Sequence, residues 1–355
     1  MKLPKRFLEV QMDTTGMCNL RCRMCYLSYS KRPSIFMEPD VFRHIAREVF
    51  PHARRLVLSW ATEPLLHPKL PELLAITREY DIPEVLLVTN ATRLTRELSE
   101  TLIREKVDRI NVSMEGATPE TYEAVRLGAS FEKTLENLEQ FEAVRKAARS
   151  RKPRLMFNYL LMRSTASELP DFIRLVKRFR PTEINTWFPN VHEGAPKEDF
   201  IDIGNETFRE MLPEARRAAK EAGITLYLPY VSPEYPGIRA RLHRAGWSLR
   251  KVSGFLRHKS VRASWLWIRT MLALRRQVPT SFCWDPSFRL VIWPDGSVQP
   301  CCRWEPDPLG TIAGVSFEEV WNSEAWQKLR EALRAGKEVP EICRGCTIAS
   351  SRKVF

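Results

Sequence analysis

The stretch Phe7-Leu8-Glu9-Val10-Gln11-Met12-Asp13-Thr14-Thr15-Gly16-Met17-Cys18-Asn19-Leu20-Arg21-Cys22-Arg23-Met24-Cys25 decides how the rest of the chain is read. Its first six residues, Phe7 to Met12, predict a β-strand that runs into a loop carrying three cysteines. Outward from it, strand and helix alternate. Val41, Phe42, Ile45, Val49 and Phe50 recur at helical spacing after Pro39, which suits a first helical turn. Leu56-Val57-Leu58 is a short apolar run that reads as a buried strand, and Leu70 to Tyr80 reads as a helix. Val85 to Val88 gives a third strand, with a helix near Arg96–Lys106. Ile110 to Met114 gives a fourth, and Phe131, Leu135, Leu138 and Phe141 mark the long helix behind it. Leu155 to Leu161 and Glu183 to Phe188 give strands five and six around a helix at Leu169–Arg180.

Such alternation predicts an α/β fold with a parallel sheet and covering helices. Six units are too few for an eight-fold barrel, so the expected architecture is an open, partial (β/α)6 TIM-like barrel. Active sites of such sheets lie at the C-terminal ends of the strands, and Cys18–Cys25 falls there. Past Pro189 a helix near Phe208–Ala222 and a short strand at Ile224–Leu228 are expected. From Cys283 on, the pattern is short strands, turns and cysteines, with one helix near Phe317–Ala335. The expected organisation is a barrel and following segment at 1–229, a basic Trp-containing insertion at 230–280 and a small cysteine-rich domain at 281–355.

The N-terminus carries charges where a signal peptide would need its apolar run. No stretch reaches the roughly 18 uncharged apolar residues of a membrane span, so the expected location is the cytoplasm. There, eight cysteines are not expected to pair as disulfides. They also cluster: three lie within Cys18–Cys25, and Cys283, Cys301, Cys302, Cys343 and Cys346 lie in the last quarter. Short spacings of this kind are what converging metal ligands need. The net charge of +13 is equally uneven, because residues 231–280 hold eleven Lys/Arg against Glu234, a net of +10 (11 − 1).

Cys18, Cys22 and Cys25 form C-x3-C-x2-C. Three thiolates on a four-iron cluster leave one iron without a protein ligand, free to chelate the amine and carboxylate of a bound methionine. The alternative is a zinc knuckle completed by a fourth ligand, since zinc also uses short cysteine spacings. A structural zinc site, however, has no reason to sit at the mouth of a barrel.

C-x3-C-x2-C after a first strand resembles the radical S-adenosylmethionine (SAM) superfamily, over roughly residues 6–190. After strand two the family carries Gly-Gly-Glu-Pro, whose backbone meets the methionine amine. Here the stretch is Ser59-Trp60-Ala61-Thr62-Glu63-Pro64, so Glu63 and Pro64 match and the glycines are replaced. Thr89-Asn90-Ala91 after strand three resembles the family's Thr-Asn-Gly. Ser113-Met114-Glu115-Gly116 resembles the Ser-x-Asp/Glu-Gly that lies near the ribose in relatives. The plainer readings are a turn residue for Asn90 and a helix cap for Glu115. The resemblance implies SAM as cofactor, a 4Fe–4S cluster on Cys18, Cys22 and Cys25, and an electron donor such as flavodoxin or ferredoxin. It implies cofactor-binding roles for Glu63, Pro64, Asn90, Ser113 and Glu115.

In the last quarter, Cys283 is followed by Gly296, Cys301 and Cys343-Arg-Gly-Cys346. Trp293-Pro-Asp-Gly296-Ser-Val-Gln-Pro-Cys301-Cys302, Leu309-Gly310 and Val320-Trp321-Asn322 surround this set. It resembles the SPASM/twitch domains appended to many radical enzymes. Asp295-Gly296 is a hairpin turn signal that places Cys301 on the return strand. Cys283, Cys301, Cys343 and Cys346 then supply four ligands for one auxiliary 4Fe–4S cluster, the alternative being a four-cysteine zinc site. Adjacent cysteines on a strand point to opposite faces. Cys302 is therefore left over, as a buried bystander, a hydrogen-atom donor or an alternative ligand.

The resemblance implies an enzyme that cleaves SAM reductively to a 5′-deoxyadenosyl radical. That radical abstracts hydrogen from a substrate carbon, ending in oxidation, epimerisation or bond formation. Only 17 residues precede Cys18, which favours a small-molecule, lipid-linked or carrier-bound substrate, or a peptide delivered by a partner. The cations and tryptophans of 231–280 suit an anionic substrate or peripheral membrane contact. No nucleic-acid reading motif is present. The competing class is a basic zinc- or iron–sulfur-containing binding protein that acts on nucleic acid or a membrane surface without radical chemistry.

Overall fold

In the computed structural model, the described residues are 3–29, 33–189, 194–202, 204–229, 283, 285–304, 307–344 and 346. By internal packing they fall into two compact units. The first holds the described residues up to 229 with 288–302 and 307–321, and the second holds 283, 285–287, 303–304 and those from 322 on. The basic segment 231–280 lies outside the described residues.

The first unit is an α/β structure around one sheet. Its strands are β1 (Leu8–Met12), β2 (Ala53–Leu58), β3 (Val85–Thr89), β4 (Arg109–Ser113), β5 (Arg154–Leu160), β6 (Glu183–Trp187), β7 (Thr225–Tyr227), β8 (Arg289–Ile292) and β9 (Val298–Gln299), in the order β7-β6-β5-β4-β3-β2-β1-β8-β9. All neighbours pair in parallel except β8 and β9. The helices between successive parallel strands are α1 (Pro39–Val49), α2 (Leu70–Arg78), α3 (Arg96–Arg104), α4 (Pro119–Val125), α5 (Phe131–Ala147), α6 (Leu169–Val176) and α7 (Glu206–Ala222). Side-chain oxygens of Thr95, Ser130 and Asn205 cap α3, α5 and α7.

The strands are two-faced, and this makes the sheet a barrel wall. Leu8, Val10, Leu56, Leu58, Ile110, Val112, Phe157, Tyr159 and Ile184 are fully buried, alternating along the strands on the face the helices cover. The other face is more polar, although Val57 and Met156 also lie on it. Near the strand starts, Glu9 pairs with Arg289 at 3.1 Å, and Glu84 pairs with Arg55 at 3.2 Å and with Arg109. These charges close the N-terminal end of the inner face. Toward the C-terminal ends the inner face carries amides, and Asn111 Nδ2 donates to Asn158 Oδ1 at 3.0 Å.

The sheet is wider than the six strands expected. The segment expected as a strand at 224–228 joins β6 as β7, and β8 adds to the other edge beside β1. The β8–β9 hairpin turns at Asp295-Gly296, where Gly296 has φ +82° and a Cβ would come within 2.8 Å of Ala313 Cβ. β9 stops at Gln299 because Pro300 has no N–H for the ladder. Cys301 and Cys302 therefore lie in the turn beyond, not on the return strand, and the opposite-faces argument does not apply to them. The single helix expected over Phe317–Ala335 is two, α8 (Phe317–Trp321) and α9 (Glu324–Ala335). Ser323, with φ −59° and ψ 155°, is too extended to continue a helix. The Val320-Trp321-Asn322 motif finds its use here: the Trp321 ring meets Phe7, at the start of β1, at 5.6 Å.

The second unit contains α9, α10 (Glu341–Arg344) and the described cysteines 283, 343 and 346. Arg330 on α9 donates to Pro286 O at 2.9 Å and lies over the buried Trp326 ring. Among the described residues no helix is long and apolar enough to cross a membrane.

Candidate active site

The loop after β1 carries Cys18, Cys22 and Cys25 to the C-terminal end of the sheet. Leu20, Cys22 and Met24 alternate inward and pack with Val125 and Met162, while Cys18 and Cys25 sit half-buried at the edge of that cluster. Cys25 N–H donates to Cys22 O at 3.1 Å, and Arg21 and Arg23 N–H donate to Leu127 and Val125 O at 2.9 and 3.0 Å. The second pairing brackets Arg126 and aims its side chain at the cysteines.

Arg126 Nε and Nη2 grip Glu115 at 2.6 and 3.0 Å, and Nη1 lies 3.8 Å from Cys22 Sγ. Glu115 Oε1 also accepts from Leu160 N–H at 3.3 Å. Both side chains are buried, and the carboxylate raises the affinity of the guanidinium for its proton against the opposing effect of burial. Glu115 is thus the anchor of an ion pair behind Cys22. The cap of α4 is Thr118, not Glu115. Ser113 ends β4 on the inner face, half-buried, in register with Asn158.

Glu63 joins three loops. Its Oε1 accepts from Leu65 N–H at 3.1 Å and Thr89 Oγ1 at 2.7 Å, its Oε2 accepts from Asn90 N–H at 2.7 Å, and its own N–H donates to Met17 O at 3.0 Å. Burial pushes its carboxyl up to about 7. Pro64 begins a single 3-10 turn that Glu63 caps. Asn90 Nδ2 donates to Asn19 Oδ1 at 3.1 Å and lies 3.8 Å from Cys18 Sγ, so Asn90 is a contact of the cysteine loop as well as a turn residue. Ala91, where the resemblance has glycine, takes φ +60°, the left-handed region.

Sequence reasoning missed Asp13, Arg126 and Asn137. Asp13, fully buried at the end of β1, accepts hydrogen bonds from the loop after β2. Asn137 on α5 donates to Ala91 and Thr92 O at 3.0 and 3.1 Å and holds the loop after β3.

The three thiols fit an iron–sulfur cluster. They are near enough to oppose one another's ionisation, and burial, the larger effect, pushes Cys22 up to about 12. Bare thiolates are therefore costly here, and iron would supply the missing positive charge. Asn90 and Arg126 present N–H groups to two of the sulfurs. Among the described residues no three Cys, His, Asp or Glu side chains close on one point as a single ion requires. In the second unit, burial and then the neighbouring Cys283 and Cys346 push the Cys343 thiol up to about 11. No disulfide joins the cysteines.

Residues 12–176 match the model of the radical SAM superfamily, and residues 283–347 match that of SPASM, an iron–sulfur cluster-binding domain. The chain carries a radical SAM domain followed by a SPASM domain. It is a radical SAM enzyme whose cofactors are SAM and 4Fe–4S clusters, one kind for cleaving SAM and one held by the SPASM domain. Its relatives include the AdoMet-dependent heme synthase of Methanosarcina barkeri, 26% identical over 95% of this chain and 90% of that protein. A probable GTP 3',8-cyclase of Methanococcus maripaludis is 27% identical over 47% of this chain and 55% of its own length. Streptococcus suis SuiB bound to S-adenosylmethionine shares the fold with a TM-score of 0.65 and 12% identity, over 98% of this chain and 72% of that one. anSMEcpe with bound AdoMet and a peptide gives 0.63 at 16% identity, over 97% and 87%.

Proposed function

We propose that this radical SAM enzyme acts on a small molecule, and that Cys18, Cys22 and Cys25 hold the cluster that cleaves SAM. The observation that carries the reading is one loop bearing three thiols, with Asn90 and Arg126 N–H groups directed at two of their sulfurs. Four cysteines, Cys283, Cys301, Cys343 and Cys346, form the proposed ligand set of one auxiliary cluster within a domain at 281–355. When bound, SAM and the reduced cluster supply a 5′-deoxyadenosyl radical that takes hydrogen from a substrate carbon. The chain's own residues then position and shield. Glu63 and Pro64 would set the loop that receives the methionine end of SAM, Asn90 steadies Cys18, Ser113 would serve the ribose, and Glu115 holds Arg126 against Cys22. Cys302 is the candidate hydrogen donor. The near full-length similarity to a heme synthase supports a small-molecule substrate over a peptide one.

Flavodoxin or ferredoxin is the proposed electron donor. Contact with an anionic substrate or membrane rests on the charge of residues 231–280, and salt-sensitive co-sedimentation with anionic but not neutral vesicles tests the membrane form. The decisive experiment is replacement of Cys18, Cys22 and Cys25 together by Ala. Reconstituted wild-type protein should hold about eight irons and the variant roughly half, with 5′-deoxyadenosine formation under dithionite lost. Undiminished cleavage in the variant, or stoichiometric zinc in anaerobically purified wild type, would overturn the reading. Comparing the metabolites of a deletion strain with those of its parent would then narrow the substrate.

A further inference from the structure

The loop after β2 lacks the glycines that the family resemblance places there, yet it makes a tight turn, with Ser59 at φ +61°. One carboxylate oxygen organises that turn. Asp13 Oδ1 accepts from Thr62 Oγ1 at 2.8 Å and from the N–H groups of Trp60, Ala61 and Thr62 at 3.2, 3.3 and 3.3 Å, and Ser59 Oγ lies 2.9 Å from it, its single proton shared with Thr62 O at 2.6 Å. Burial pushes this carboxyl above the usual carboxylate range, and the hydrogen bonds from Thr62, Ser59 and Ala61 N–H pull it back toward the anion. Asp13 Oδ2 is buried too, and no protein group among the described residues meets it.

The consequence lies on the other side of the loop. In a trans peptide the N–H of one residue and the carbonyl of the residue before it point in opposite directions. With the N–H groups of Ala61 and Thr62 drawn onto Asp13, the carbonyls of Trp60 and Ala61 face away from it. Among the described residues no donor reaches either carbonyl. The same loop continues into Glu63, whose N–H binds Met17 O one residue before Cys18. Two free carbonyls beside the cysteine loop suit a group with several N–H donors and a positive charge.

We infer that Asp13 is the positioning residue that turns the Trp60 and Ala61 carbonyls toward the ammonium group of SAM, doing with a buried carboxylate what glycines do through backbone freedom. This rests on the reading that Cys18–Cys25 is the SAM-cleaving site. The role is indirect, because Asp13 acts through the loop and touches neither cofactor nor substrate.

The test uses the full chain, reconstituted with iron and sulfide, as wild type, Asp13→Asn and Asp13→Ala. SAM affinity is read by anaerobic calorimetry, KM and kcat from 5′-deoxyadenosine formation, and iron content from each preparation. Asp13→Ala should raise the Kd and KM for SAM at least tenfold, with iron content unchanged and kcat at saturating SAM little altered. Asp13→Asn keeps an acceptor at Oδ1 and should fall between. Equal SAM affinity in a folded, iron-loaded variant would overturn the inference. So would iron loss in step with SAM affinity, which would assign Asp13 to the cysteine loop's folding alone. If Asp13→Ala does not fold, Asp13→Asn decides by the same readings. Failure of the wild type to bind or cleave SAM would sink the underlying reading instead, so the two failures are distinct.

Discussion

Replacing Arg126 with Met tests whether the buried pair behind Cys22 holds the site together. Both partners are nearly inaccessible, with side-chain exposures of 7% for Arg126 and 1% for Glu115. The guanidinium meets both carboxylate oxygens, at 2.6 and 3.0 Å. Without it, Glu115 keeps one donor among the described residues, Leu160 N–H at 3.3 Å. Breaking a buried pair from one side costs about 3–5 kcal/mol, because the surviving charge is left uncompensated. Against a total stability of roughly 5–15 kcal/mol that is a large share. At roughly 2 °C per kcal/mol for a unit of this size, the loss corresponds to about 6–10 °C in melting temperature. The double variant Glu115→Gln/Arg126→Met removes both charges and should recover much of the loss, since neutral replacement of a whole pair is often tolerated. The assay is an anaerobic melt of the four members of the cycle, with iron content measured beside it. A single variant melting within about 2 °C of wild type, or a double variant no better than the worse single, would refute the claim that the charges are buried and coupled.

Two further outcomes follow from the neighbouring loops. Ala91→Gly should raise stability slightly, by about 0.5 kcal/mol. A left-handed Ala costs roughly 1–2 kcal/mol, and the extra freedom of Gly returns part of that; a lowered melting temperature would contradict it. Glu63→Gln should destabilise by roughly 1–3 kcal/mol, since the Gln amide oxygen can accept on one side only and its NH2 must then face either the Asn90 N–H or the Leu65 and Thr89 donors. Denaturant titration would check this, and an unchanged midpoint would refute it.

Much of the barrel was legible because its signal is local. The outer face of each strand must meet helices, so Leu8, Val10, Ile110, Val112, Phe157 and Tyr159 alternate with polar neighbours, and the period-2 pattern is visible in the chain itself. The cysteine spacings were legible for the same reason. β8 was harder: Arg289–Ile292 reads as a short strand, but its choice of β1 as partner depends on Glu9, which is 280 residues away and takes Arg289 as its ion pair. Nothing in the sequence marks Arg126, the residue that follows α4. What buries it is the pairing of Arg21 and Arg23 N–H with Leu127 and Val125 O on either side, and no periodicity in either segment announces that pairing. Asp13 offered one faint signal, an acid directly at the inward end of an apolar strand, where solvation is scarce.

These hidden residues explain why altered motifs can still build the site. The loops at the ends of β1 to β4 are joined by side chains that reach from one loop into the next. Asp13 after β1 gathers the loop after β2, and Glu63 from that loop binds Thr89 and Asn90 after β3. Asn90 returns to Asn19 and Cys18, and Glu115 after β4 holds Arg126 beside Cys22. The cysteine loop is thereby gripped from both sides by groups whose own partners are buried. Each bond fixes a backbone position that glycine would otherwise have to reach by conformational freedom alone. Ser59, Ala61, Thr62 and Ala91 can therefore stand where the resemblance or the backbone angle favours glycine, because the geometry is set by the network instead. A motif search that weighs only residue identities at the glycine positions sees divergence; the pattern of bonds among Asp13, Glu63, Asn90 and Arg126 is what keeps the four loops in place.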